Sequence, residues 1–316
     1  MYYPILRGKQ YELLALRECT DLLSTSPITP VIEPVRDLAR STGSVWRCLE
    51  ALGSAQARAC VIVNPAVGEY VNDAATAPTV LDMLDGIDPS GRMAIGIRVD
   101  PRLQASTLAR SLSTRTKRPH IYIHTTERVD TPGLAGLTQR ASSITHIAPE
   151  RSRVRRYPSF GDDSGVAKFE DGFKRAERNS DYRDCDPYQF TDWNRYYGDD
   201  GYIGYSDYAT IGEAYIEGGF TPRAVAIHLT YTHPDDSTIW IQHFVSQNGA
   251  DSISNIKGKF AEAVAKLALF ADRQSLKNPA IDEFRRLHER GQFAGLGVIK
   301  KLSLINHLYV AADSDA

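Results

Sequence analysis

The sequence predicts an α/β protein, a (β/α)8 TIM-type barrel carrying a Tyr/Asp-rich insertion before its seventh strand and a late β-hairpin. Three observations predict it. Short apolar runs recur along the first half of the 316 residues at a spacing of roughly 30. Each is followed by a helix-length segment. Most of the runs are apolar on both faces, as parallel strands covered by helices are, where a one-sided antiparallel sheet would alternate. Right-handed crossovers through the helices then close a parallel sheet. No G-x-G-x-x-G follows the first run, which argues against a dinucleotide-binding open sheet.

In order, Tyr2–Leu6 is β-prone, Arg7, Gly8 and Lys9 break it, and Tyr11–Leu16 resumes at helical spacing. Ile28–Pro34 is the second strand, followed by a helix around 35–52. Cys60–Pro65 is the third, nearly all β-branched, with a helix from Val80. Met93–Asp100 is the fourth, with a helix over Leu103–Leu112. His120–His124 is the fifth, with a helix over Leu134–Ala141, and Ser143–Ala148 is the sixth. The pattern breaks over about 150–200. There Arg151, Arg153, Arg155 and Arg156 form a basic run, and Ser159-Phe-Gly-Asp-Asp-Ser164 follows. Tyr182, Tyr188, Trp193, Tyr196 and Tyr197 then crowd among aspartates; so many aromatics argue for an ordered insertion. Gly201–Asp207 reads as the seventh strand and Arg223–Tyr231 as the eighth. The eighth pairs with Thr238–Val245 through the turn-forming His233-Pro-Asp-Asp-Ser237. Ile256–Leu269 is an amphipathic helix, Ile281–Leu287 and Leu302–Tyr309 complete an outer helical layer, and the acidic 312–316 tail frays. All 316 residues are expected in one domain.

Composition bounds the class. Apolar residues make up 42% and charged ones 24%, enough to bury a large core, and Lys+Arg (37) nearly balance Asp+Glu (39). Whole-chain charge therefore decides nothing about nucleic acid. Four cysteines, Cys19, Cys48, Cys60 and Cys185, lie far apart with no C-x-x-C, as reduced thiols do. The polar start and the lack of a long apolar span predict a cytoplasmic chain with no membrane partner.

The opening Tyr3-Pro-Ile-Leu-Arg-Gly-Lys-Gln-Tyr-Glu-Leu-Leu-Ala-Leu16, with Ile28-Thr-Pro-Val-Ile-Glu-Pro34, resembles the start of the beta protein family, named for the beta protein of a satellite phage. Phe160-Gly-Asp162 and Tyr205-Ser-Asp207 resemble family positions less specifically. The resemblance implies a place in prokaryotic gene sets linked to phage defence and a partner protein encoded by a neighbouring gene, such as a toxin that it neutralises. It implies no reaction.

A barrel would gather the C-terminal ends of its strands into one mouth. Falling there are Arg7, Lys9, Glu33, Asn64, Arg98, Asp100, His124, His146 with Glu150, Asp207, His228 and Tyr231. Glu33, Asp207, His124 and His228 are the candidate catalytic groups, with Glu33 as the general base. Arg7, Lys9, Asn64, Arg98, Asp100 and Tyr231 are the candidate substrate-binding groups, and the arginines suit a phosphate. The competing reading is an ion-pair network of Glu33 with Arg7 or Arg98 that plugs the mouth. His124, Asp207 and His228 are chemically suited to a metal, yet no H-x-H or H-E-x-x-H spacing supports one. Ser159 and Ser206 lack a nucleophile elbow. Arg151–Arg156 with Tyr157 is a weak nucleic-acid signal, and Tyr182, Tyr188, Trp193, Tyr196 and Tyr197 are the candidate partner-binding residues. Two functions follow: a phage-defence component acting through a protein partner, or a hydrolase or transferase working at the mouth on a nucleotide or nucleic acid. No cofactor is assigned.

Overall fold

The computed structural model describes every residue except 39–42, 125–132, 156, 158–159, 161–163, 219–222, 248–253 and 314–316. Arg156, Ser159, most of the Phe160-Gly-Asp162 motif and the end of the acidic tail lie outside the described residues. The chain divides into two compact units, one of Met1–Asp171 with Tyr196–Asp207, the other of Gly172–Arg195 with Tyr208–Ala316.

The first unit is a closed eight-stranded parallel barrel. Its elements are β1 (Ile5–Leu6), α1 (Gln10–Glu18), α2 (Thr20–Thr25), β2 (Val31–Ile32), α3 (Ser44–Ser54), β3 (Cys60–Ile62), α4 (Thr76–Ile87), β4 (Ala94–Val99), α5 (Ala105–Ser111), β5 (Arg118–His124), α6 (Leu134–Thr138), β6 (Ala141–Ala148), α7 (Arg151–Arg155) and β7 (Gly165–Phe169). After β8 (Tyr188–Thr191) and α8 (Trp193–Tyr196), β9 (Gly204–Ser206) supplies the eighth staves' position. The amides of Tyr3 and Ile5 donate to the carbonyls of Tyr205 and Asp207 at 2.9 and 2.8 Å, so β9 pairs back onto β1 and the ring has no edge. From Leu6 the register steps through Ile32, Val61, Ile95, His120 and Ile144, and it returns to β1 eight positions below its start. That is the stagger of this barrel class.

Paired residues of a parallel ladder share a face, and neighbours along a strand alternate. The Tyr3 hydroxyl comes close to the Thr145 side chain across the ring, from the first strand to the sixth, and so identifies the inner face. On it lie Ile5, Arg7, Val31, Glu33, Cys60, Ile62, Asn64, Gly96, Arg98, Ile121, Ile123 and Ile147. A Cβ on Gly96 would fall 2.9 Å from both Cys60 Sγ and Ile62 Cγ1, so only glycine fits in this packed interior. The outer face carries His120, Tyr122, His124, His146, Tyr205 and Asp207.

The second unit holds β8 in an antiparallel sheet with β10 (Ala226–Thr232) and β11 (Ile239–Val245), ordered β10-β11-β8, and the helices α9 (Ile256–Arg273), α10 (Pro279–Glu289) and α11 (Leu296–Asp313). Asn278 caps α10 by accepting from the amides of Ala280 and Ile281, with Pro279 at the first helical position. Its amide also donates to Asn306 Oδ1 of α11, and Asn306 in turn donates to the Thr230 carbonyl at 2.7 Å.

Two strand assignments are corrected. The seventh barrel strand is Gly165–Phe169, inside the stretch read as irregular, so the Gly201–Asp207 run supplies the eighth strand and the insertion precedes that one. Arg223–Tyr231 does form the hairpin with Thr238–Val245, but in the second unit's antiparallel sheet and not in the barrel. Ile147, Ala148 and Val166 show why β7 forms: the barrel needs a partner for β6, and Gly-Val-Ala-Lys-Phe fits despite its modest hydrophobicity.

Candidate functional site

At the inner mouth, Glu33 is the centre of a buried charge cluster. It follows β2 and has no exposed surface. One carboxylate oxygen pairs with the Arg7 guanidinium from the end of β1. The other accepts the Ala66 amide at 2.7 Å and lies 3.5 Å from Arg98 Nη1. Asn64 extends the ladder with its side chain. Its amide donates to the Arg98 carbonyl at 2.8 Å, and its oxygen accepts the Arg98 amide at 2.9 Å, which fixes the backbone that carries Arg98. Burying one carboxylate between two guanidiniums offsets its desolvation and gives the group of three an excess positive charge.

The turn that delivers Arg7 is held from both sides. Gly8 has φ +59°, and a Cβ there would lie 2.9 Å from the Glu33 carbonyl, so this close approach requires glycine. Glu12, in the first turn of α1, reaches back and accepts the Arg7 amide at 2.6 Å. Burial pushes the Glu12 carboxyl up to about 7, while the Arg7 and Lys9 amides and the positive charge of those two residues pull the other way.

The other residues expected at the mouth are distributed differently. Lys9 precedes α1 as its N-cap. Asp100 accepts the Arg102 amide at 2.8 Å and pairs with its guanidinium at 2.8 Å, closing the turn after β4. His124 and Asp207 do not join Glu33, because the register turns both to the outer face. Asp207 accepts the Tyr2 hydroxyl at 2.6 Å, and Tyr2, whose hydroxyl is pushed well up by burial and then by Asp207, stacks on Tyr205 at 4.6 Å. His124 Nε2 and His146 Nδ1 share a hydrogen bond of 2.9 Å beneath Tyr157 and Phe160. Burial lowers His124 to about 4 and His146 to about 2, with Arg153 and His124 respectively adding to it. Glu150 does not act with His146; it accepts the Ser152 hydroxyl at 3.0 Å.

His228 and Tyr231 lie on β10, off the barrel strands. His228 faces His243 directly across the hairpin, Nδ1 to Nδ1 at 2.8 Å, walled by Phe173, Tyr182 and Tyr188. Burial lowers these histidines to about 3 and about 4. Tyr231 packs on Phe270 of α9. Among the described residues no three His, Cys, Asp or Glu side chains converge on a metal-binding position.

Of the insertion's aromatics, Tyr182 is buried core, and its hydroxyl accepts the Ala176 amide at 2.9 Å. Tyr188 accepts the Lys174 amide, Trp193 is half-buried, and Tyr197 accepts from the N-terminal ammonium at 3.0 Å. Tyr196 is 45% exposed. Glu12 was not among the candidates from the sequence; its signal is a glutamate three residues after the helix N-cap, the spacing that brings a carboxylate back to the preceding turn.

No family model and no curated protein matches the chain. Among solved structures, a mutant O-GlcNAc hydrolase from Thermobaculum terrenum is similar at 16% identity and a TM-score of 0.36, over 66% of this chain. The matched part spans about half of that protein, 54% of its chain. Among the described residues no helix is long and apolar enough to cross a membrane.

Proposed function

We propose that the barrel binds a small phosphate-bearing ligand, of the nucleotide class, at its C-terminal mouth, with Arg7 and Arg98 as the anion-recognising groups. The observation that carries this reading is that two guanidiniums from different strands share one fully buried carboxylate. Glu33 holds them in place, and planar guanidiniums so held are pre-organised for oxyanions. Both Glu33 oxygens are engaged as acceptors, and in this reading Glu33 acts as a positioning residue for the two arginines. His124 and Asp207 face away from it, and the reading assigns no acid–base step. Calorimetric titration of inorganic pyrophosphate and of a nucleoside diphosphate tests it. The wild-type protein binds, and Arg98→Ala weakens binding at least tenfold; equal affinity in both proteins would reject the mouth as the site.

A second reading is docking of a protein partner, in the setting that the beta-protein resemblance suggests. It is supported by the exposure of Tyr196 and of Ile203 (42%) in the segment leading into β9, aromatic and aliphatic groups of the kind that anchor interfaces. Co-purification with the product of the neighbouring gene, lost on Tyr196→Ala with Ile203→Ser, is the expected result. Undiminished recovery by the double variant excludes this surface.

A further inference from the structure

Glu12 is a buried carboxylate whose chemistry the mouth reading does not use. Its side chain reaches past its own helix end to the amide of Arg7, the residue whose guanidinium holds Glu33. The Arg7-Gly8-Lys9 turn is therefore fixed between Glu12 on one side and the Glu33 main chain, against which Gly8 packs, on the other. The charged groups acting on Glu12 are Lys9 and Arg7, with Glu33 behind Arg7. On α3, Arg47 lines the groove beside Gln10, Leu13, Leu14 and Arg17. Those four α1 residues form a helical stripe that leaves Glu12 to one side.

We propose that Glu12 is a proton-linked positioning residue of the mouth: it holds the turn that presents Arg7, and it takes up a proton when an anion binds there. This rests on the anion-binding reading above. The physical basis is charge balance in a dry site. With Glu12 ionised, a second negative charge sits at the Arg7 amide beside the Glu33–arginine cluster; with Glu12 protonated that charge is gone, and an incoming anion meets a larger excess of positive charge. The protonated carboxyl keeps an acceptor oxygen for the Arg7 amide, so the turn persists while the charge is removed. Burial has already raised Glu12 to about 7, where a nearby anion shifts its occupancy most.

The test uses the full chain and inorganic sulfate, which does not titrate near neutrality. Wild-type affinity for sulfate should fall at least threefold from pH 6 to pH 8. Calorimetry in buffers of different ionisation enthalpy should show uptake of a fraction of a proton at pH 7. Glu12→Gln should bind with a flat pH profile and no uptake. An unchanged slope and uptake in Glu12→Gln, with Arg98→Ala still impaired, overturns the role of Glu12 alone. If the wild type binds neither sulfate nor pyrophosphate at any pH, the mouth reading falls and this inference with it. Should Glu12→Gln fail to fold, zero proton uptake by the wild type overturns the proposal by itself.

Discussion

Arg98 lies two strands from Glu33 in the barrel, yet its guanidinium comes within 3.5 Å of the Glu33 carboxylate, across the inner face of the intervening β3. Glu33 thereby ties together β1, β2 and β4, and through the Ala66 amide also the segment after β3. The cluster is a structural keystone as well as the proposed ligand site.

Removing the carboxylate should consequently cost more than removing either arginine. Glu33→Ala leaves two guanidiniums buried beside each other and should destabilise the barrel by roughly 3–5 kcal/mol. Glu33→Gln, which keeps an acceptor, should cost less. Denaturant unfolding followed by fluorescence measures both, and a loss below about 1 kcal/mol for Glu33→Ala would show that the cluster is dispensable.

Gly8→Ala should destabilise by more than about 1 kcal/mol, because the residue sits at φ +59° and its new Cβ meets the Glu33 carbonyl. The same substitution at Gly136, where a Cβ meets nothing within 4 Å, should be neutral or stabilising, since that glycine lies within α6. Thermal melts of the two variants make the comparison.

The buried histidines make both units acid-labile. His120, His124 and His146 in the barrel, and His228, His243 and His307 in the second unit, are all held below their usual 6.5 by burial. The unfolded chain binds protons at 6.5 where the folded protein refuses them until about 4 or lower. Their stability contribution is therefore full above pH 6.5 and is lost as pH falls through about 4, at up to about 1.4 kcal/mol per histidine per pH unit. Glu12 has the opposite sign. Its folded value of about 7 exceeds the ordinary 4.5, so the stability it adds at low pH is lost as pH rises through 7. One carboxyl opposes six imidazoles, and unfolding free energy should drop steeply from pH 6.5 to 4.5. A flat profile over that range contradicts the neutral, buried state of the imidazoles.

Asn278→Ala removes two accepted amides at the start of α10 and the link to Asn306. A loss of about 1–2 kcal/mol in the second unit is expected. Hydrogen exchange in α10 should rise more than in the barrel strands.

Much of the barrel was legible because its first six strands are contiguous apolar runs set between helical segments. Gly165–Phe169 escaped because only Val166, Ala167 and Phe169 mark it and a polar segment precedes it. Arg223–Tyr231, richer in β-formers, reads as the stronger strand although its partner is a hairpin neighbour. The inner cluster was legible in part: Arg7, Glu33, Asn64 and Arg98 each end an apolar run, and strand order brings them together. His124 and Asp207 also end runs, but which face a residue takes depends on the register. The alternation His120-Ile-Tyr-Ile-His124 carried that information, because its isoleucines share the inner face with Arg98 while its histidines do not. The pairing of His228 with His243 and the burial of Tyr182 depend on a separate sheet that the expected barrel left no room for.

The most direct test is a crystal of the full chain soaked in tungstate, a phosphate mimic that scatters anomalously. A peak is expected at the barrel mouth within hydrogen-bonding distance of both the Arg7 and the Arg98 guanidiniums, absent in Arg98→Ala. A mouth without a peak, with tungstate bound only at surface arginines, would contradict it.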